Sequence, residues 1–143
     1  MRNKHITGLL VLLLVICSCS HEKSGETGQN GEVISEKYGE IRFDKSDHDL
    51  GTIVQGETVG YNFTFSNTGE GSLVILNASA TCGCTVPRFS KEPVPPGGSG
   101  IVEVMFDSSG RMGQQSKTVT IKTNGSPPMI NLTIRANIIE ANT

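Results

Sequence analysis

The chain reads as an all-β sandwich, and three observations carry that expectation. Apolar residues recur at every second position in several segments, the period of a half-buried strand. Between residues 41 and 140 no stretch of useful length repeats with the 3.6-residue period of a helix. Clusters of Gly, Pro, Asn and Ser separate the alternating segments, as turns between short strands do. The 143 residues hold 17 glycines and no tryptophan, and 18% are charged. That composition is too turn-rich for a helical bundle and too apolar for a chain disordered throughout. The net charge of −2 gives no basic excess, which argues against nucleic acid as a partner.

The N-terminus comes first and lies outside the sandwich. Arg2, Lys4 and His5 form a basic start, and Leu9 to Cys17 is an unbroken apolar run. A spanning helix needs about 20 apolar residues, so this run is too short to cross a membrane. A basic start, a short apolar core and then small residues describe a secretory signal. The run ends Ile16-Cys17-Ser18-Cys19-Ser20, which is similar to the lipobox of bacterial lipoproteins. Cys19 fits the lipid-bearing position, with Ile16 at −3 and Ser18 at −1. Cys17 fits poorly, because it would place the bulky Ile16 next to the cleavage site. The expectation is a signal over 1–18 and a lipid on Cys19 that anchors the protein stably in a membrane. Ser20 follows the cysteine where Asp would favour inner-membrane retention, so the lipobox resemblance leans toward the outer membrane. Removing residues 1–18 takes away Arg2 and Lys4 and no acid, leaving a net charge of −4. Residues 19–40 are rich in Gly, Ser, Glu and Gln and read as a flexible tether, in which His21 is solvated.

The domain is expected over 41–140. Val59, Tyr61, Phe63 and Phe65 alternate with Gly60, Asn62 and Thr64. Asn67-Thr68-Gly69 reads as a turn. Leu73 to Leu76 is a short apolar run, expected as a strand buried on both sides or near the core centre. Val102, Val104 and Phe106 alternate with Glu103 and Met105, and Val119 and Ile121 with Thr118, Thr120 and Lys122. The last segment alternates Ile130, Leu132, Ile134, Ala136 and Ile138 with polar residues. About seven short strands in about 100 residues match an immunoglobulin-like sandwich. There is no strand-spaced Cys…Trp…Cys set, so the domain is not antibody-like.

Four motifs occur in order: His48-Asp49-Leu50-Gly51-Thr52-Ile53-Val54-Gln55-Gly56-Glu57, Phe63-Thr64-Phe65-Ser66-Asn67-Thr68-Gly69, Ala80-Thr81-Cys82-Gly83-Cys84-Thr85-Val86-Pro87 and Val94-Pro95-Pro96-Gly97-Gly98-Ser99-Gly100. This order resembles the DUF1573 family of secreted or lipid-anchored bacterial domains, common in Bacteroidetes. The resemblance covers about residues 43 to 139 and implies an immunoglobulin-like sandwich of the PapD and major-sperm-protein type. The doubled Pro95-Pro96 and Gly97-Gly98 depart from the family's usual single Pro-Gly and concern loop geometry. The family name records an unknown function, so the resemblance implies a fold and a compartment more than an activity.

Cys82 and Cys84 are the cysteines left to the domain. In an extended segment residues i and i+2 face the same side, with Cα atoms about 6–7 Å apart. That is close to the upper limit for a disulfide, and Gly83 permits the bend that closes it. Three readings stand. The pair packs structurally, as a local disulfide or as two buried thiols. It is a redox-active dithiol, with Arg88 and Lys91 as the neighbouring cations. It holds a soft metal, Cu(I) or Zn(II), with further ligands among His48, Met105, Met112 and Met129.

No other motif carries chemistry. His48 lies in Asp47-His48-Asp49 and is expected in a solvated turn rather than as an acid–base catalyst. Ser108-Ser109-Gly110 has no strand-to-helix turn of a nucleophile elbow. Gly97-Gly98-Ser99-Gly100 lacks the Lys of a phosphate loop. Asp44, Asp47 and Asp49 lack the Gly and distal Glu of a calcium loop. Asn62, Asn77 and Asn131 match the glycosylation pattern by chance. The expectation is therefore a protein that is not an enzyme and needs no cofactor. Its domain binds or scaffolds an envelope protein, through the Cys82–Pro96 connection and an open sheet edge. The rival is a small thiol-redox or metal-handling protein built on Cys82 and Cys84.

Overall fold

A computed structural model describes residues 37–141. The expected signal, Cys19 and most of the tether lie outside the described residues. Eight strands form: β1 (Ile41–Phe43), β2 (Asp47–Val54), β3 (Thr58–Asn67), β4 (Ile75–Ala80), β5 (Thr85–Phe89), β6 (Ser99–Asp107), β7 (Gly113–Thr123) and β8 (Met129–Ile139). They make two four-stranded sheets, in the orders β1-β3-β6-β5 and β2-β8-β7-β4. The neighbouring strands pair antiparallel, except that β2 runs parallel to β8.

Alternation decides which side chains meet between the sheets. Phe63 and Phe65 of β3 and Val102, Val104 and Phe106 of β6 are buried on one side. Val119 and Ile121 of β7 and Leu132, Ile134, Ala136 and Ile138 of β8 meet them from the other. Fully burying such a side chain contributes roughly 1.5–3 kcal/mol, so this layer is what holds the sheets together.

Three expectations are corrected. Leu73 to Leu76 is not a strand buried on both sides. β4 begins at Ile75 and carries a bulge between Ile75 and Asn77. The extra residue reverses the alternation, so Leu73 and Ile75 are buried, Leu76 is 57% exposed, and Ala78 packs on the core. Second, the Cys82–Pro96 connection contains a strand, β5, at the edge of its sheet. Third, Asp47-His48-Asp49 is not a turn but the start of β2, with His48 opposite the buried Ile134. The His48 imidazole stacks on Tyr61 at a centroid distance of 3.5 Å and 13° between planes. Lys45 lies over the same Tyr61 ring, 5.8 Å from its centroid.

The strands end at two poles. β3 runs from Thr58, opposite Asp107, to Asn67, opposite Ile41, so the poles are about 30 Å apart by strand rise. Asn67 organises the pole where the chain enters the sandwich and is fully buried. Its Nδ2 donates to the carbonyls of Gly71 and Val94, at 2.8 and 2.9 Å. Its Oδ1 accepts the amides of Glu40 and Gly69, at 3.0 and 3.1 Å. Its backbone accepts from Gly97 and donates to Gly98, so the Asn-Thr-Gly and Pro-Pro-Gly-Gly motifs are one structure. The segment Lys37–Glu40 is threaded against these turns. A Cβ at Gly71 would overlap the Lys37 carbonyl, and one at Gly125 the Gly39 carbonyl, so both positions exclude larger residues. At the other pole Ser108 is fully buried. Its Oγ accepts the Gly56 amide and lies 3.0 and 2.9 Å from the carbonyls of Val54 and Glu57. This serine thus closes the β2–β3 turn.

Candidate functional site: the Cys82–Cys84 turn

Thr81 to Cys84 carries the chain from β4, the edge of one sheet, to β5, the edge of the other. The crossing is tight, and backbone hydrogen bonds hold it. The Thr85 amide donates to the Cys82 carbonyl at 3.2 Å, which closes a turn. The Asp107 amide donates to the Cys84 carbonyl at 2.9 Å, and the Thr81 amide to the Thr118 carbonyl at 3.2 Å.

The two sulfurs are joined in a disulfide, 2.02 Å apart, with Cα atoms separated by 5.3 Å. The turn at Gly83 accounts for a Cα distance below that of an ideal strand. In the chain-entropy model a loop of three residues contributes about 1.6 kcal/mol, against about 3 kcal/mol for fifteen. The bond therefore adds little to a turn that the backbone already closes.

Thr85 was not singled out by its sequence context, and the structure places it at the centre of the site. It is 3% exposed. Its Oγ1 lies 3.7 Å from Cys82 Sγ and 3.8 Å from Cys84 Sγ. Disulfide sulfurs are weak acceptors, so this buried hydroxyl has poor partners while the pair is oxidised. The signal for Thr85 is its strand register: it pairs with the buried Phe106 and so must point inward.

The opposite parity of β5 builds the outer face. Cys84, Val86 and Arg88 lie beside Asp107, Met105 and Glu103 of β6. Met105 in turn lies across from Gly60 of β3, where a Cβ would collide with its Sδ. A shallow depression of about 270 Å³ results, lined by Thr58, Gly83, Cys84, Val86, Arg88, Met105 and Asp107. Arg88 is held by Glu103 at 3.6 Å, an exposed pair that contributes little to stability. The Asp107 carboxyl is held below its usual range by hydrogen bonds from Ser109 and by the Arg111 charge, against a small opposing desolvation.

Of the expected metal ligands, Met105 shares the depression with Cys84. His48 is on β2, stacked on Tyr61. Met112 precedes β7, and Met129 lies opposite Lys122 at the start of β8. Among the described residues no group of three or more His, Cys, Asp or Glu side chains is arranged to hold a metal ion.

A second depression, of about 210 Å³, lies at the far end of the same segment. Phe65, Glu92, Pro93, Pro95, Gly100 and Ile101 line it. The Cys82–Pro96 segment thus borders two concavities, with Arg88 lining the first.

Known structures share the architecture. A protein of unknown function from Porphyromonas gingivalis W83 is 19% identical with a TM-score of 0.61, over 69% of this chain and 46% of that one. The ASH / PapD-like domain of human CEP192 is 13% identical with a TM-score of 0.57, over 73% of this chain and 89% of that one. The secreted serine protease VesC of Vibrio cholerae is 16% identical with a TM-score of 0.56, over 73% of this chain and 24% of the protease. The chain thus spans under half of the Porphyromonas protein and about a quarter of VesC, and at these identities the likeness is one of fold. No curated protein matches the sequence. A family model described as a protein of unknown function matches residues 41–138, so the chain belongs to the DUF1573 family.

Proposed function

We propose that the protein is a lipid-anchored module of the bacterial cell envelope whose sandwich binds or scaffolds a partner protein and catalyses no reaction. The lipobox-like Ile16-Cys17-Ser18-Cys19 supports attachment through Cys19, and Ser20 supports the outer membrane. The observation that carries the binding role is the outer face of β5 and β6. Val86 is 49% exposed and Ile101 52% exposed, each beside a concavity bordered by the Cys82–Pro96 segment. Large apolar side chains beside concavities mark contact surfaces more than lone exposed ones do.

The sheet edges support strand addition less well than expected. β1 has three residues. β2 starts with two acids and breaks register between Asp49 and Thr52. β4 is bulged and β5 contains Pro87. Each of these devices discourages a partner strand, which moves the expected contact from an edge to the face.

Photocrosslinking residues placed at 86 and 101 in living cells test this reading. Each is expected to give one discrete adduct, lost on charge introduction at the other site by Ile101→Lys or Val86→Lys. Loss of any adduct at both positions defeats the binding role. Palmitate labelling that survives Cys19→Ser defeats the anchor.

A further inference from the structure

We infer that the Cys82–Cys84 turn is a thiol–disulfide exchange site for a dithiol partner, a property separate from the face-binding role and independent of it. Three observations converge. The bond closes a loop that the amides of Thr85, Asp107 and Thr81 already hold, so opening it leaves the turn in place. Both cysteines are part-exposed at the junction of two edge strands, Cys84 packing against the margin of the core while also lining the outer depression. The buried Thr85 hydroxyl sits within 3.7 and 3.8 Å of the two sulfurs, which are weak acceptors when bonded to each other. Reduction converts a sulfur into a thiolate, and the same hydroxyl then makes a charge-assisted hydrogen bond. The site therefore favours the reduced form in a way that a purely structural clasp does not require.

Access sets the direction. The depression is lined by Gly83 and Cys84, and nothing stands where a Gly83 side chain would be. A thiolate of the partner dithiol enters there and attacks Cys84 Sγ. A mixed disulfide forms as the Cys82–Cys84 bond breaks, and its electron pair leaves on Cys82 Sγ. The partner's second thiolate then attacks its own sulfur in the mixed disulfide, and Cys84 leaves as thiolate. Of the two protons of the partner's thiols, one ends on one cysteine and the other passes to solvent, which leaves the second cysteine as the thiolate that the Thr85 hydroxyl holds. The turn has gained two electrons, and the partner has become a disulfide. Arg88 and Asp107 both face the depression with opposite charge, and Arg88 is also held by Glu103. Their charges largely offset, which leaves the Thr85 hydroxyl as the group that favours the thiolate.

The test uses the purified protein, dithiothreitol as the dithiol, and alkylation with peptide mapping to read Cys82 and Cys84 individually. Reversible reduction is expected, with a lowered urea midpoint and a cooperative unfolding transition retained. Thr85→Val is expected to lower the reduction equilibrium constant roughly tenfold. Thr85→Ser, which keeps the hydroxyl, is expected to behave as the native chain. With glutathione as the attacking thiol, early quenching is expected to map the adduct to Cys84. Unfolding on reduction, a Thr85→Val variant that reduces like the native chain, or an adduct on Cys82 each overturns the proposal.

Discussion

The two poles of the sandwich are closed by unlike means. At one, a buried amide, Asn67, joins four backbone groups from three segments. Toward the other, a covalent bond joins two residues that a tight turn already holds. The covalent bond is the stronger interaction and the weaker stabiliser. A disulfide acts by restricting the unfolded chain, and one that spans three residues restricts it little. A buried amide acts by satisfying groups that would otherwise lose their water without replacement, and here it does so across 27 residues of chain on each side. Permanence is therefore found at Asn67, and reversibility has room at Cys82 and Cys84.

The sharpest way to break this comparison is Asn67→Ala. It leaves the Glu40 and Gly69 amides and the Gly71 and Val94 carbonyls without their partner. At 1–3 kcal/mol for each unsatisfied buried group, with water rescuing some, the expected loss is about 3–5 kcal/mol. Urea denaturation measures it. A loss below about 1 kcal/mol would remove the Asn67 pole as the stronger closure.

Gly71→Ala probes the same pole with a smaller effect. The added methyl must displace the Lys37 carbonyl, at about 1–3 kcal/mol, by analogy with overpacking. It should also speed proteolysis within Lys37–Ile41, the segment that enters the sandwich there. Unchanged cleavage would mean that the segment is not held by this close approach.

The other pole is tested by Cys82→Ala with Cys84→Ala. The expected loss is about 1–2 kcal/mol, well below that of Asn67→Ala and no more than that of Gly71→Ala. A loss larger than that of Asn67→Ala would invert the comparison and make the disulfide a structural clasp.

The difference between the poles also explains what could be read in the chain. Strands β3, β6, β7 and β8 were legible because both their neighbours lie in the same sheet or their inward residues alternate without a break. The edge strands were not. β5 holds Pro87 and Arg88 within five residues, a pattern that reads as a loop until β6 is beside it. β4 hides its alternation behind a bulge, so Leu73 to Leu76 looks uniformly apolar. β2 opens with Asp47-His48-Asp49, and the role of His48 depends on Tyr61, which no local pattern supplies. The motif Asn67-Thr68-Gly69 was visible as a turn, but its function as a hub rests on Glu40 and Val94, both distant in sequence. The cysteine pair was legible as chemistry because its spacing is local. Thr85, which decides what that chemistry favours, needed the register with Phe106.

The smallest expected effect separates charge from closure at the cysteine pole. Asp107 is fully exposed, and its carboxylate accepts the Ser109 amide at 2.9 Å. That bond, the Ser109 hydroxyl and the Arg111 charge hold its pKa below 3.8 in the folded state. A depressed carboxylate contributes its stability above the unfolded value and loses it as pH falls through the folded one. The native chain should therefore lose a small increment of stability below about pH 4, the unfolded carboxylate range, that Asp107→Asn does not lose. Near neutrality the variant keeps an oxygen acceptor for the Ser109 amide and should fall below the native urea midpoint by only that increment, the two converging in acid. Midpoints compared at pH 6 and pH 3 read the increment directly. Equal acid shifts in the two proteins would show that the carboxylate contributes nothing to closure at that pole, leaving the backbone bonds of Cys82, Cys84 and Ser108 to hold it alone.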